Sequence, residues 1–389
     1  MSLVLMTMQW LDIQSVAMAM GVCAMWKRAV ANGGVTMERI WRRFYTARWS
    51  FASSRGQRQT TTWRQRCIAQ SGTLRGWFSG RAHHQILDSQ GQHVRSITDD
   101  PVHRSDRLLV TTPESCFLAE APFDRPMRKL LLDEADKISG HLLLTAGEGD
   151  RARIAVHRMK MDGEGSIPCD QVATLAHHDY IHTIALCDHT SAFAGTETSI
   201  TQWDLATRQP IWRVPYAGCI LAVTESMVAA AGEADFNVLI DRRSQTVIHK
   251  FEFQSTRSSC SKLQLDDGCF SMDHVLDAEE FLFDLRRLDE ALLVYEAGES
   301  TFHSGVGLLA VSSADRRSVA LYDWRQPIAT GCTLHGCILP NPTAILSHRH
   351  KSARTDFLLM DCRRLFCLWT PASSGPPAFR HLSLFDFAS

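Results

Sequence analysis

Four aspartates set the metre of this chain. Asp204, Asp241, Asp284 and Asp323 each end a short apolar run, at intervals of 37, 43 and 39 residues. The runs include Val238-Leu239-Ile240-Asp241, Phe281-Leu282-Phe283-Asp284 and Val319-Ala320-Leu321-Tyr322-Asp323. They are too short for buried helices, rich in β-branched and aromatic residues, and bounded by turn formers, which reads as strand and turn. Small apolar runs precede two of them, Val228-Ala229-Ala230-Ala231-Gly232 and Leu309-Ala310-Val311-Ser312-Ser313. Upstream, Leu142 to Gly147 precedes Ile154 to His157; downstream, Phe357 to Asp361 precedes Leu365 to Trp369. A unit repeated about every 40 residues cannot bury both faces alone, so neighbouring units must stack.

The clearest unit runs from Leu175 to Leu205. Ala176-His177 opens it, Ile181 and Ile184 follow at strand spacing, Ala194-Gly195-Thr196 supplies small residues, and Trp203-Asp204 ends it. This unit resembles a WD repeat. The resemblance implies a structural hydrogen-bonded network of His177, Glu197, Trp203 and Asp204, with Glu197 where that family has Asp. It also implies a mainly β fold, a WD-repeat-type β-propeller over residues 82–389. About 300 residues at a period of 40–45 give about seven blades. An all-β sandwich or barrel with similar turns is the competing reading.

The first 81 residues have a different character. Lys27 to Arg81 holds twelve Lys and Arg against one acid, Glu38, although Lys plus Arg (41) and Asp plus Glu (42) balance over the 389 residues. Apolar side chains recur there on a helical period. Leu3 to Leu11 forms one stretch, and Asp12 to Ser15 offers a stop and a new N-cap. Val16, Met20, Cys23 and Trp26 line a second helix face before Asn32-Gly33-Gly34 breaks it. A third helix is expected from Thr36 to Ala47, with Ile40, Trp41, Phe44 and Tyr45 on one side.

Leu11-Asp12 before a helix that ends in Val22-Cys23 and Trp26, followed by Ile40-Trp41, resembles the second half of an F-box. Trp63 to Cys67 and Leu74 to Arg81 resemble the linker that joins an F-box to WD repeats. The resemblance implies a small α-helical F-box-like domain at 1–48, a basic helical linker at 49–81, and the propeller at 82–389. The family's opening Leu-Pro and acidic turn are absent, so the first helix would be Leu3 to Leu11. The implied fold and adaptor-contact set is Leu3, Leu5, Leu11, Val16, Met20, Val22, Cys23, Trp26 and Trp41. The implied function is substrate recognition in a cullin–RING ubiquitin ligase. The head would dock on a Skp-type adaptor and through it a cullin, and the propeller would bind an unidentified protein to be ubiquitinated. The chain would act as a monomer within that larger complex, in the cytoplasm or nucleus.

Two other functions fit the same residues: a WD-repeat interaction scaffold without a ligase role, and nucleic-acid binding by the basic head. Arg39, Arg42, Arg43, Arg48 and Arg64 interleave with Trp41, Phe44, Tyr45, Trp49 and Trp63, as stacking platforms do. Those aromatics fall on the apolar helix side, where core packing explains them better. No catalytic residue, cofactor or metal is expected. Asp133-Glu134-Ala135-Asp136 and Asp277-Ala278-Glu279-Glu280 read as solvated acidic turns, Gly147 to Asp150 as a hairpin turn, and the twelve scattered Cys as reduced structural thiols. Asp12, Gln9 and Gln14 interrupt the apolar start, which argues against a membrane span. A mitochondrial presequence is the alternative for the basic, acid-poor head. Arg242-Arg243, Arg286-Arg287 and Arg316-Arg317 lie in or near turns. If those turns share a face they would ring an anionic motif of the substrate, and solvated turns are the plainer account.

Overall fold

A computed structural model describes residues 38–42, scattered positions from 62 to 75, and most of 76–387. Segments 88–92, 101–103, 147–151, 233–235, 253–259, 275–278, 297–298, 305–306, 325–341, 348–352, 361–363 and 372–380, with isolated single positions, lie outside the described residues.

Among the described residues, the repeat resolves into a ring of seven four-stranded antiparallel blades, two of which share one eight-stranded sheet. Blade 1 is β2(Ser96–Asp100), β3(Arg104–Thr111), β4(Cys116–Glu120) and β5(Arg128–Leu131). Blade 2 is β6(Lys137–Ser139), β7(Leu142–Ala146), β8(Arg153–Met159) and β9(Ile167–Ala176). Blade 3 is β10(Thr183–Leu186), β11(Ser191–Gly195), β12(Ile200–Asp204) and β13(Gln209–Val214). Blade 4 is β14(Ile220–Val223), β15(Met227–Ala231), β16(Phe236–Asp241) and β17(Thr246–Glu252). Blade 5 is β18(Leu263–Leu265), β19(Cys269–His274), β20(Glu279–Asp284) and β21(Leu293–Glu296). Blade 6 is β22(Ser300–His303), β23(Leu308–Ser312), β24(Ser318–Asp323) and β25(Ala344–Ser347). Blade 7 takes β26(Ala353–Met360), β27(Arg364–Pro371) and β28(His381–Asp386) from the C-terminal end, and its outer strand β1(His83–Leu87) from the start of the propeller. The outer strands of blades 1 and 2 also join in a short parallel bridge, Leu130 to Ile167 and Leu131 to Pro168.

Strand alternation explains why the second strands read as continuous apolar runs. Successive side chains point to opposite faces of a sheet, and here each face meets another blade. In β23, Leu308 and Ala310 enter the seam with blade 7, while Leu309 and Val311 enter the seam with blade 5. In β15, Val228 and Ala230 pack toward blade 3, and Ala229 and Ala231 toward blade 5. In β27, Leu365, Cys367 and Trp369 face blade 6, and Phe366 and Leu368 face blade 1. Each of the seven seams carries its own apolar cluster, and each buried Leu, Ile or Phe contributes about 1.5–3 kcal/mol.

The four metrical aspartates all end the third strand of their blade, in blades 3 to 6. In blades 3, 4 and 5 the carboxylate accepts backbone N–H groups of the turn that follows. Asp204 Oδ1 accepts the N–H groups of Ala206 and Thr207 at 2.7 and 3.0 Å, and Asp241 Oδ1 those of Arg243 and Ser244 at 2.7 and 3.2 Å. Both turns finish on a left-handed residue, Arg208 (φ 61°) and Gln245 (φ 58°). Asp386 ends the third strand of blade 7 in the same register, and the sequence reading missed it.

Ring closure has two components. The first is β1 on β28, from His83–Asp386 to Leu87–Leu382, with Arg364 Nη1 reaching Asp106 Oδ1 of blade 1 at 2.7 Å. The second is the chain just before β1. Trp77 is fully buried and stacks on Phe387 with ring centroids 3.7 Å apart and an interplanar angle of 17°. A Cβ at Gly76 would sit 2.8 Å from the Phe387 carbonyl oxygen, so this approach requires glycine. Ile40 and Trp41, in helical residues 38–42, belong to the same cluster between blades 6 and 7. Trp77→Ala is expected to cost about 3–5 kcal/mol, read as a lowered urea midpoint, because it empties a wedge that holds the ring shut.

Candidate functional site

Antiparallel strands sort the turns into two ends. The turns joining second to third strands, and one blade to the next, open at one end, called the upper end below. The other turns open at the lower end. The candidate site lies at the upper mouth of the central channel, on blades 1 to 3. It is a cavity of about 680 Å³, lined from blade 1 by Arg95 to Thr98, Thr111 to Pro113 and Cys116, from the blade 1–2 connection and blade 2 by Glu134 to Lys137 and Ala146, from blade 3 by Ile181 to Ile184, and from blade 7 by Phe357.

Its walls are set by hydroxyl-capped turns and strand starts. Thr112 Oγ1 accepts the Ser115 N–H at 3.0 Å and donates to the Ser115 carbonyl at 2.9 Å, closing the upper turn of blade 1. Thr196 and Ser199 repeat this in blade 3, at 3.0 and 3.1 Å. Ser96 and Thr111 hydroxyls bond at 2.6 Å. Asp136 Oδ2 accepts the Ala146 N–H at 2.8 Å, which fixes the start of β6 and places Lys137 in the cavity. Burial pushes the Lys137 ammonium below its ordinary value, a shift that Asp99 and Asp136 partly offset.

The blade 3 connection forms the rim. His177 Nδ1 accepts the Asp179 N–H at 3.2 Å, which leaves Nε2–H to donate to Thr201 Oγ1 at 3.0 Å. This pattern needs a neutral ring. Burial, with Arg213 nearby, lowers its pKa from the usual 6.5. Asp179 Oδ2 accepts from Thr198 Oγ1 at 2.9 Å and Arg213 Nη2 at 3.0 Å. Tyr180, 49% exposed, stands on this frame beside His182, ring centroids 4.8 Å apart.

The expected network of His177, Glu197, Trp203 and Asp204 is not assembled. Glu197 pairs with His182 (3.3 Å), and Asp204 caps its own turn at the lower end. Among the described residues, the buried Trp203 indole N–H has no hydrogen-bond partner. The physical reason is at the turn. Glu197, one methylene longer than Asp, reaches out to His182, and the strand position facing His177 is Thr201 on β12.

The arginine pairs do not ring one face. Arg242, Arg243, Arg286 and Arg287 follow third strands and sit at the lower end, while Arg316 and Arg317 follow a second strand and sit at the upper end. Their charges are also engaged locally. Arg242 Nη1 donates to the Thr224 carbonyl (2.7 Å) and the Cys187 sulfur (2.8 Å), and its guanidinium lies 4.9 Å from the Phe193 ring centre. Arg286 grips Asp284 through two nitrogens (2.9 and 2.6 Å), Arg287 lies 3.5 Å from Glu290, and Arg317 lies 3.9 Å from Asp315. Arg243 is exposed. Of the expected adaptor contacts, Leu3, Leu5, Leu11, Val16, Met20, Val22, Cys23 and Trp26 lie outside the described residues, and Trp41 is 4% exposed in the blade 6–7 cluster.

Glu280, expected in a solvated turn, is 1% exposed and anchors a polar latch between blades 5 and 6. Ser300 Oγ lies 2.6 Å from both its oxygens, accepts from Lys262 Nζ at 2.8 Å and from the Tyr295 hydroxyl at 3.3 Å, and Ser271 Oγ adds a bond at 3.2 Å. Burial, with Glu280 beside it, holds the Tyr295 phenol well above its usual range. A serine next to a carboxylate and a lysine suggests a nucleophile, but Ser300 is 1% exposed and fully committed, so the cluster is structural. Sequence reasoning missed it because its members come from five strands or strand flanks.

Two measurements check these assignments. The His177 imidazole is expected to titrate below 6.5 by NMR. A depressed histidine pKa stabilises fully above the unfolded value, so its contribution falls as pH drops below about 6.5. Lys262→Met is expected to lower stability by about 3 kcal/mol in chemical denaturation, because it leaves the Glu280 charge buried without its cation.

The fold is that of a WD40 propeller. A crystal structure of the WD40 domain of Toxoplasma gondii coronin superposes with a TM-score of 0.54 at 11% identity, covering 79% of this chain and 87% of that one. No protein-family model matches the chain. No curated protein matches it either.

Proposed function

We propose that this chain is a non-catalytic protein-interaction receptor that engages its partner at the upper end of blades 1 to 3. The observation that carries this reading is the 680 Å³ polar cavity, with the exposed Tyr180 beside its lining residue His182 and Arg213 bonded to Asp179 on the same connection. An exposed aromatic and an arginine beside a formed recess are the side chains that dominate binding energy at protein interfaces. Hydrogen-bonded turns hold the site in place, so little ordering entropy opposes binding.

The finer reading is the substrate receptor of a cullin–RING ubiquitin ligase. It rests on the F-box-like sequence of residues 1–48, read with the packing of Ile40, Trp41 and Trp77 against blades 6 and 7. Chain packed there would hold an adaptor-bound head at a fixed distance from the upper face, which raises the effective concentration of a captured lysine near the conjugating enzyme. Skp-type adaptor, cullin and protein substrate are the partners on this reading, and the cytoplasm or nucleus is the compartment that goes with it. Among the described residues no helix is long and apolar enough to cross a membrane.

The test is affinity purification of the full chain from cells with quantitative mass spectrometry. Wild type is expected to carry a Skp-type adaptor, lost on the double change Leu11→Ala with Trp26→Ala. It is also expected to carry a distinct partner, lost at least tenfold on Tyr180→Ala with Arg213→Ala. An adaptor absent from wild type overturns the ligase reading; a partner set unchanged by the rim variant overturns the receptor site.

A further inference from the structure

One outer edge of the ring already takes a strand from another blade. β5 of blade 1 pairs in parallel with the start of β9 in blade 2, Leu130 to Ile167 and Leu131 to Pro168, and then leaves it. The ten-residue β9 continues from Cys169 to Ala176 with no strand on its outer side among the described residues.

The register fixes which main-chain groups of this stretch point outward. The His177 N–H donates to the Ala152 carbonyl at 2.6 Å, and Leu175 pairs with Ile154 and Ala173 with Val156. In an antiparallel pair, residues bonded to the partner strand alternate with residues whose N–H and C=O face away from it. Ala173, Leu175 and His177 are thus turned toward β8, and Thr174 and Ala176 face out. A register shift between Val156 and His157 makes Val172 an extra residue on β9. On its other side the Lys160 N–H donates to the Pro168 carbonyl at 2.9 Å, which leaves Cys169 and Gln171 facing out. Outward groups of this kind are satisfied by water or by a further strand.

Other outer strands are poorer seats. β13 carries Pro210, which has no N–H to give, and β21 and β25 have four residues each. On β1 the Gln85 side chain is tied to the Phe123 carbonyl. β17 has seven residues, but no strand of the chain pairs with its outer side. β9 combines a seated strand with bare length, and it runs directly into the connection that carries Tyr180. Its side chains there favour an uncharged contact. Gln171 Nε2 donates to Thr174 Oγ1 at 2.9 Å, and Lys160 neutralises Asp170 at 2.6 Å.

We propose that the bare stretch of β9 receives an extended segment of a partner protein as a further strand, following on from the seat of β5. Main-chain hydrogen bonds to Gln171, Thr174 and Ala176 supply the affinity, and Leu131, exposed at the end of β5, offers an apolar contact beside them. This surface lies on the outer wall and stands independently of the upper-end site.

The probe is a phage-displayed library of random dodecapeptides, selected on immobilised full-length protein. The enriched peptide is then synthesised with a fluorophore and followed by fluorescence anisotropy. Thr174→Pro removes one outward N–H and spares the bonds to β8. It is expected to weaken binding at least tenfold with little change in melting temperature, whereas Thr174→Val, which keeps the N–H, binds as wild type. N-methylation of the whole peptide is expected to abolish binding. The Thr174 and Ala176 amides are expected to exchange hydrogen quickly in the free protein and at least tenfold more slowly in the complex. These last two measurements decide the matter if Thr174→Pro does not fold. No enriched peptide, equal binding by a folded Thr174→Pro, binding of the N-methylated peptide, or amides already slow in the free protein each overturns the proposal. Self-association of wild type that Thr174→Pro abolishes, read by light scattering, also overturns it, since the edge then belongs to a second copy. Peptide binding lost on Tyr180→Ala with Arg213→Ala but kept on Thr174→Pro sinks this inference and leaves the upper-end site standing.

Discussion

Each blade of this ring has two apolar faces, and no blade can hide both without a neighbour on either side. The whole molecule depends on that requirement. It turns residue alternation within a strand into a division of labour between seams, so that Leu308 and Leu309, adjacent in sequence, stabilise different pairs of blades. It also makes closure obligatory. An open array would leave two apolar sheet faces exposed, and β1 covers the outer edge of the last blade while Trp77, Ile40 and Trp41 fill its outer wedge.

Closure fixes geometry where chemistry is wanted. With every seam packed, the polar turns of the upper end are held at set distances, and charges can be placed at the channel mouth without collapsing it. The ring uses the same inner-strand seat in two ways. In blade 5 the lysine is answered internally by Glu280 and Ser300, and the seam is locked. In blade 2 the lysine borders the cavity, with the carboxylates of Asp99 and Asp136 nearby.

What the sequence made legible follows from distance along the chain. The spacing of Asp204, Asp241, Asp284 and Asp323 was readable because each ends a third strand, and in the first three the carboxylate folds its own turn within three residues, where local rules suffice. The outer strand of blade 7 was not, because His83 pairs with Asp386 across almost the whole chain. Glu280 looked solvated because an acidic run carries no sign of a lysine and a serine arriving from neighbouring strands. The arginine pairs looked equivalent because turns after second and third strands have similar composition, although they face opposite ends of the ring. The His177 unit was legible as a repeat. Its network was not, since one extra methylene at Glu197 redirects the carboxylate to His182.

Recognition at the upper end of blades 1 to 3 is tested most directly by a photo-crosslinking amino acid placed at Tyr180, or at Arg286 on the lower end, in living cells. Partner adducts are expected from position 180, and few or none from position 286. Adducts from position 286 alone would contradict it.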